Sequence, residues 1–166
     1  VDDAEWLAAL LVNLMPKERE AAGLLALIRL HRARAAARFD PAGRLVLLAD
    51  QDRSLWDRRA IAEAAALLTR TARAHRRPGP YQVQAAIVAC HAEAPSFEET
   101  DWAQILVLYD MLMALAPSPV TRLHRAVALR HVKGPEAALA ALEGLPLERY
   151  PLFHATRADL LRALGR

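Results

Sequence analysis

The feature that most constrains this chain is its second half, where prolines open amphipathic segments at a near-regular interval. Pro80, Pro119 and Pro151 each begin such a segment. Proline is tolerated in the first helical turn, where its missing N–H has no partner to lose. Between these segments, 102–117 and 134–142 read as return helices. Self-similarity at about 30 to 40 residues marks a helical-hairpin solenoid. Folds of this kind mostly present surfaces to partners, so the first question is what the chain touches.

The 166 residues suffice for one domain, 1–166, built as an array of hairpins. With 54% hydrophobic and 25% charged residues the chain can bury a core and is not disordered in bulk. Ala and Leu dominate and aromatics are 5%, which suits close helix–helix packing. Apolar residues never run long enough to cross a bilayer. Val1 is not a start methionine and no signal-peptide pattern opens the chain, so it reads as a fragment or a trimmed piece of a longer one. Cys90 is the only cysteine, which excludes an intrachain disulfide and a thiolate zinc site and fits a reducing cytoplasmic setting. The net charge of +3 rests on arginine, since only Lys17 and Lys133 are lysines. The arginines are scattered among acids, apart from Arg32–Arg34 and Arg76–Arg77, which favours solvated helix faces over a nucleic-acid stripe.

The spacing predicts a short helix at 3–14 with Trp6, Leu7, Leu10, Leu11 and Leu14 on one side. A long helix is expected at 17–38 with an inward stripe of Leu24, Leu27, Ile28, His31 and Ala35. A turn at Asp40–Gly43 leads to a short extended run at 45–48 with no evident strand partner. Further helices are expected at 55–75 (Ile61, Ala65 and Leu68 inward), 80–93 (Val83, Ile87 and Cys90 inward) and 101–116. Trp102, Ile105, Leu106, Tyr109, Leu112 and Met113 form the stripe of the last of these, with Thr100 or Asp101 as its cap. Helices at 119–132, 135–143 and 151–164 complete the set. The fold class is all-α, with about eight helices.

In a hairpin array every outgoing-to-return loop lies on one edge. The first loop holds Asp50, Gln51, Asp52 and Arg53, and the second holds His91, Glu93, Ser96, Thr100 and Asp101. A third holds His131 and Lys133. Trp56 and Trp102 occupy matching positions near the starts of two return helices. This polar edge is the candidate site, with Asp50, Gln51, Asp52, Arg53, Trp56, His91, Glu93, Asp101 and Trp102 as partner-binding residues. The same residues can instead serve the fold. Asp52 or Ser54 can cap the helix holding Trp56, Arg53 can pair with Glu93 or Asp50, and Trp56 can fill a gap between hairpins.

Other chemistry finds little support. Asp50-x-Asp52-x-Ser54 opens like a calcium loop, but Leu55 stands where glycine is needed and Ile61 where glutamate is needed. His91 and Glu93 point about 200° apart on a helix, unsuited to one ion. His31, His75, His124, His131 and His154 fall on separate helices. Cys90 lies on an inward stripe, as an inert thiol would. No nucleophile elbow, P-loop or dinucleotide fingerprint occurs. No metal, cofactor or catalytic residue is expected.

With these residues in view, the chain resembles the C-terminal extension of bacterial extracytoplasmic-function RNA polymerase sigma factors that carry a tetratricopeptide-like domain. The resemblance rests on Glu20–Ile28, on Arg44–Asp57 with its Asp50-Gln-Asp-Arg-Ser-Leu-Trp56 core, and on Gly79–Ile87. It continues through His91–Ser96, Thr100–Trp102, Ile105–Asp110 and Pro117–Pro119. These segments run in order over nearly the whole chain. The resemblance implies a right-handed stack of antiparallel hairpins (TPR-like α-solenoid) and a regulatory role in transcription initiation. The implied partners are the sigma core modules or RNA polymerase, with DNA contacted only by modules upstream of this segment. Loss of Asp52 or Arg53 is then expected to abolish the parent protein's activity with the fold intact. Other readings are a free-standing peptide-binding adaptor, with Tyr81, Gln84, Arg122 and Arg125 in its groove, and a small-molecule sensor or enzyme at the polar edge. A homodimer through the last hairpin is also expected to be accessible.

Overall fold

The computed structural model describes residues 2–72 and 77–166, so His75 and Arg76 lie outside the described residues. Eight α-helices are described: α1 (Asp2–Leu14), α2 (Arg19–Arg32), α3 (Arg58–Ala72), α4 (Pro80–Glu93), α5 (Trp102–Leu115), α6 (Pro119–Lys133), α7 (Pro135–Ala141) and α8 (Pro151–Ala163). The fold is all-α, with no strand among the described residues. The chain divides into two compact units, Val1–Asp101 and Trp102–Arg166.

In the first unit α2 is the central helix, packed against α1, α3 and α4. Its contact with α4 is close enough to require glycine. A Cβ on Gly23 would lie 2.7 Å from the backbone nitrogen of Gln82. The first turn of α2 also caps α4. The Glu20 carboxylate accepts hydrogen bonds from the amides of Tyr81 (2.8 Å) and Gln82 (3.1 Å), two donors that a helix start leaves without partners. Gln82 is itself buried and donates its side-chain amide to Thr71 Oγ1 at 2.9 Å. The core beneath gathers Ala26, Leu30, Ala33, Trp56, Ile61, Ala64, Ala85 and Ala89.

Three expectations for this unit are corrected. First, α2 ends at Arg32 rather than continuing to 38. The amide of Asp57 donates to the Ala33 carbonyl at 2.8 Å, taking the acceptor that Ala37 would use in a longer helix. Ala37 bonds Arg34 instead, and the chain tightens into a 3₁₀ turn at Ala35–Ala37. Second, the buried face of α2 is Ala22, Leu25, Ala26 and Leu30, with Ala33 beyond its end, whereas Leu24, Leu27, Ile28, His31 and Ala35 lie on more open sides. Third, the run at 45–48 has a partner. Leu45 bridges Phe39, the Val46 amide donates to the Arg38 carbonyl at 2.9 Å, and Leu45 and Leu47 are exposed. The intervening turn is held by Asp40, whose carboxylate accepts the amides of Ala42 and Arg44, and by Gly43 at φ 77°.

In α1 the apolar side chains share one side as expected, but Ala8 is the residue that is buried. Glu5 fastens the helix to α2 through Arg29 at 3.0 Å and Arg32 at 2.8 Å.

The second unit strings α5, α6, α7 and α8 in sequence, each packed on the next. Ser118 caps α6 by accepting the Thr121 amide at 3.0 Å. Gly134 at φ 89° ends α6 and passes directly into Pro135 at the first turn of α7. Leu123, Ala126, Ala138, Leu142, Leu145 and Leu160 form its core. Arg125 pairs with Asp110, and Arg130 with Asp159.

Candidate functional site

The polar edge is built from the segment that replaces the predicted start of α3. Asp52 accepts the Ser54 amide at 2.9 Å and opens a 3₁₀ turn, Arg53–Leu55. Asp57 accepts the Ala60 amide at 2.9 Å and caps α3. Trp56 therefore lies between a 3₁₀ turn and a helix rather than within the helix. That break turns its indole into the core, where it is 3% exposed.

Arg53 then reaches the end of α4. Its Nη1 donates to the carbonyls of His91 at 2.9 Å and Ala94 at 2.8 Å. Arg58 Nη1 donates to the Ala92 carbonyl at 3.2 Å. The last carbonyls of a helix have no acceptor role inside it and carry the negative end of its dipole, so cationic donors are doubly favoured there. The expected pairing of Arg53 with Glu93 or Asp50 is corrected: its Nη1 goes to backbone carbonyls instead. The two turns, 38 residues apart at Arg53 and His91, are thus fastened together.

The same guanidinium groups surround Trp56. Their central carbons lie 4.4 Å (Arg53), 5.1 Å (Arg34) and 5.6 Å (Arg58) from the ring centre. The negative face of the indole attracts them, by about 0.5–2 kcal/mol for a single contact. Crowding of like charges leaves a mark. Burial, with Arg38 and Arg53 adding to it, pushes Arg34 down to about 10. Arg53 is also lowered, first by burial and then by Arg58, against a smaller opposing pull from Glu98. Arg34 Nε, Arg53 Nη2, Trp56 Nε1 and Gln51 Oε1 are buried and make no protein hydrogen bond.

Carboxylates face outward from this cationic centre. Asp50, Asp52, Glu93, Glu98 and Glu99 are exposed. The bonds from Ser54 hold the Asp52 carboxyl below its ordinary range. Glu98 is also held low, by its backbone and Ser96 hydrogen bonds and then by Arg53. Gln51 is tied inward, its amide donating to the Val46 carbonyl at 3.2 Å. Thr100 is buried, and its hydroxyl returns to the Ser96 carbonyl at 3.4 Å.

Of the predicted residues, Arg53 meets both Trp56 and the His91 carbonyl, and Asp52 shapes the turn that places it there. Asp50, Glu93 and Asp101 are exposed in the same unit. Trp102 belongs to the second unit, where it stacks on His131 with ring centres 3.9 Å apart and planes 10° apart. Burial and then Arg130 lower the His131 pKa, which favours the neutral ring in that stack. Sequence reasoning missed Arg34 and Arg58. Arg58 had a local signal, since it follows Trp56 by two residues, just past the motif segment; Arg34 had none, because its approach depends on the early end of α2.

Burial, with Asp101 and Glu93 behind it, raises the Cys90 thiol to about 11, so little thiolate exists at neutral pH. Among the described residues no three His, Cys, Asp or Glu side chains are placed to hold a metal ion. No described helix is long and apolar enough to cross a membrane.

The 50–58 part of this site lies within a region that matches a family model, and the 91–101 part lies beyond it. Residues 1–72 match a family of unknown function (DUF6596). An uncharacterized protein of Rhizobium meliloti (strain 1021) is 53% identical over 167 aligned residues, covering 99% of this chain and 39% of the relative. The chain thus spans about two fifths of the length of the relative it matches. No solved structure matches.

Proposed function

We propose that this chain is a regulatory protein-interaction domain of an alternative RNA polymerase sigma factor. It would modulate transcription initiation through contacts with sigma core modules or polymerase in the cytoplasm. The motif segments named above support the reading at the level of family. At the level of the site, one observation carries it: the motif's inner residues are spent on fixing a shape, and its outer residues are presented by that shape. Arg53 and Trp56 lock two turns together, while Asp50, Asp52 and Glu93 stand exposed on them. A contact surface held in one geometry loses little conformational entropy when a partner arrives. The role is contact rather than catalysis, and DNA is read by other modules of the parent protein.

The test is promoter-directed transcription in vitro with the parent protein and its Asp52→Ala and Arg53→Ala variants, alongside thermal melts. The expected result for Asp52→Ala is an unchanged fold and lost transcription. Arg53→Ala loses transcription and also melts at a lower temperature, because its guanidinium ties the turn to the end of α4. Full transcription from the Asp52→Ala parent would remove the outward face from the mechanism.

A further inference from the structure

We propose that a second copy of this chain packs against the α1–α2 face, with α1 of each copy entering the α2 groove of the other. Two unpartnered surfaces on the first unit lead to this. One is the stripe on α1: Trp6 is 65% exposed, Leu7 53%, Leu10 37%, Leu11 41% and Leu14 69%. Their three-and-four spacing gathers them on one side of the helix, and a contiguous apolar strip of this size is uncommon on a soluble monomer. The other is a groove of ≈ 510 Å³ beside α2. Ala4 at the start of α1, with Leu27, Ile28 and Ala35, supplies its apolar lining, and His31, Arg32 and Arg38 supply its polar edge.

Charge selects the occupant. The α1 sequence DDAEWLAALLVNL holds three carboxylates and no cation. The groove carries His31, Arg32 and Arg38 and no carboxylate, while Arg34 of the same stretch lies over the Trp56 ring. Glu5 already serves Arg29 and Arg32 of its own copy. Asp3 remains exposed at the acidic end of the stripe. An acidic apolar helix and a basic apolar groove are therefore complementary, and one chain carries both. A two-fold contact satisfies the two surfaces at once and closes, as a self-complementary interface must. A lipid surface is disfavoured by the carboxylates at the start of α1, and nucleic acid by those carboxylates and by the apolar groove lining.

The proposal does not depend on a role in transcription. A monomeric chain would overturn it and leave the sigma-factor reading standing.

Sedimentation velocity of the 166-residue chain over a concentration series tests it. The chain is expected to dimerise reversibly, and more weakly as salt rises. Leu11→Glu removes the entering helix and Ile28→Glu removes the groove. Each is expected to give monomer while circular dichroism keeps its helical signal. Mixing the two variants restores one intact helix–groove pair of the two, so partial heterodimer is expected in the mixture alone. Arg38→Glu is expected to weaken self-association by about tenfold. A monomer at every concentration would overturn the proposal, as would a dimer that survives both variants or a mixture that shows no recovery. Binding to anionic or neutral lipid vesicles by a chain that stays monomeric would also overturn it.

Discussion

Trp56 and Trp102 look equivalent in the sequence, each near the start of a helix, yet they do different work. Trp56 precedes α3 by two residues, is almost wholly buried, and carries arginines from three segments around its ring. Trp102 opens α5, is half-buried, and stacks on one histidine of α6. The difference is one of backbone. A 3₁₀ turn followed by an Asp57 cap aims Trp56 inward, whereas Trp102 is already helical and lies along a neighbouring helix. An aromatic residue at a matched position therefore reveals little until the preceding turn is known.

The largest effect is expected from deleting the buried ring. Trp56→Ala should destabilise the first unit by about 3–5 kcal/mol, read by urea denaturation, whereas Trp102→Ala should cost the second unit roughly a third of that. Equal losses would erase the distinction between the two tryptophans. Next comes Arg53→Ala, which leaves the His91 and Ala94 carbonyls without their donor. A loss of about 1–3 kcal/mol is expected, with Arg53→Lys recovering only part of it because an ammonium lacks the planar fork. Complete recovery by lysine would show that charge alone is needed there.

Smaller again is the response to acid. His131 is lowered in the folded state, so the unfolded chain binds protons more readily. Stability from the Trp102 stack is then full above the ordinary histidine range, about pH 6.5, and falls as pH drops through it. His124 in the same unit is lowered by burial and acts in the same direction. Thermal melts of the His131→Gln variant should show a weaker loss between neutral and mildly acidic pH than the parent chain. The smallest effect on folding is expected from Asp52→Ala, since that carboxylate is exposed and caps only a single 3₁₀ turn.

Much of the helical order was legible because prolines mark it. Pro80, Pro119, Pro135 and Pro151 each stand at the first residue of a helix, as local backbone chemistry requires. The end of α2 was not legible, because a distant amide, that of Asp57, decides it. Its buried face was misread for a related reason. Leu and Ile outweigh Ala in any hydrophobic pattern, but close approach to α4 at Gly23 admits only small side chains beside it. Leu27 and Ile28 of the expected stripe line the groove instead. At the polar edge, loop order was enough to bring Arg53 towards His91. It could not show that the acceptors would be carbonyls, since every helix end offers them and no sequence pattern marks the one chosen.

The joining of the turn at 50–56 to the end of α4 is tested most directly by a double-mutant cycle on Arg53→Ala and Trp56→Leu, measured by urea denaturation. The structure predicts a coupling of about 1 kcal/mol or more, because Arg53 can grip the α4 carbonyls only while it lies across the indole. Free energies that simply add, within about 0.3 kcal/mol, would mean that the two residues act separately and that the edge is not held as described.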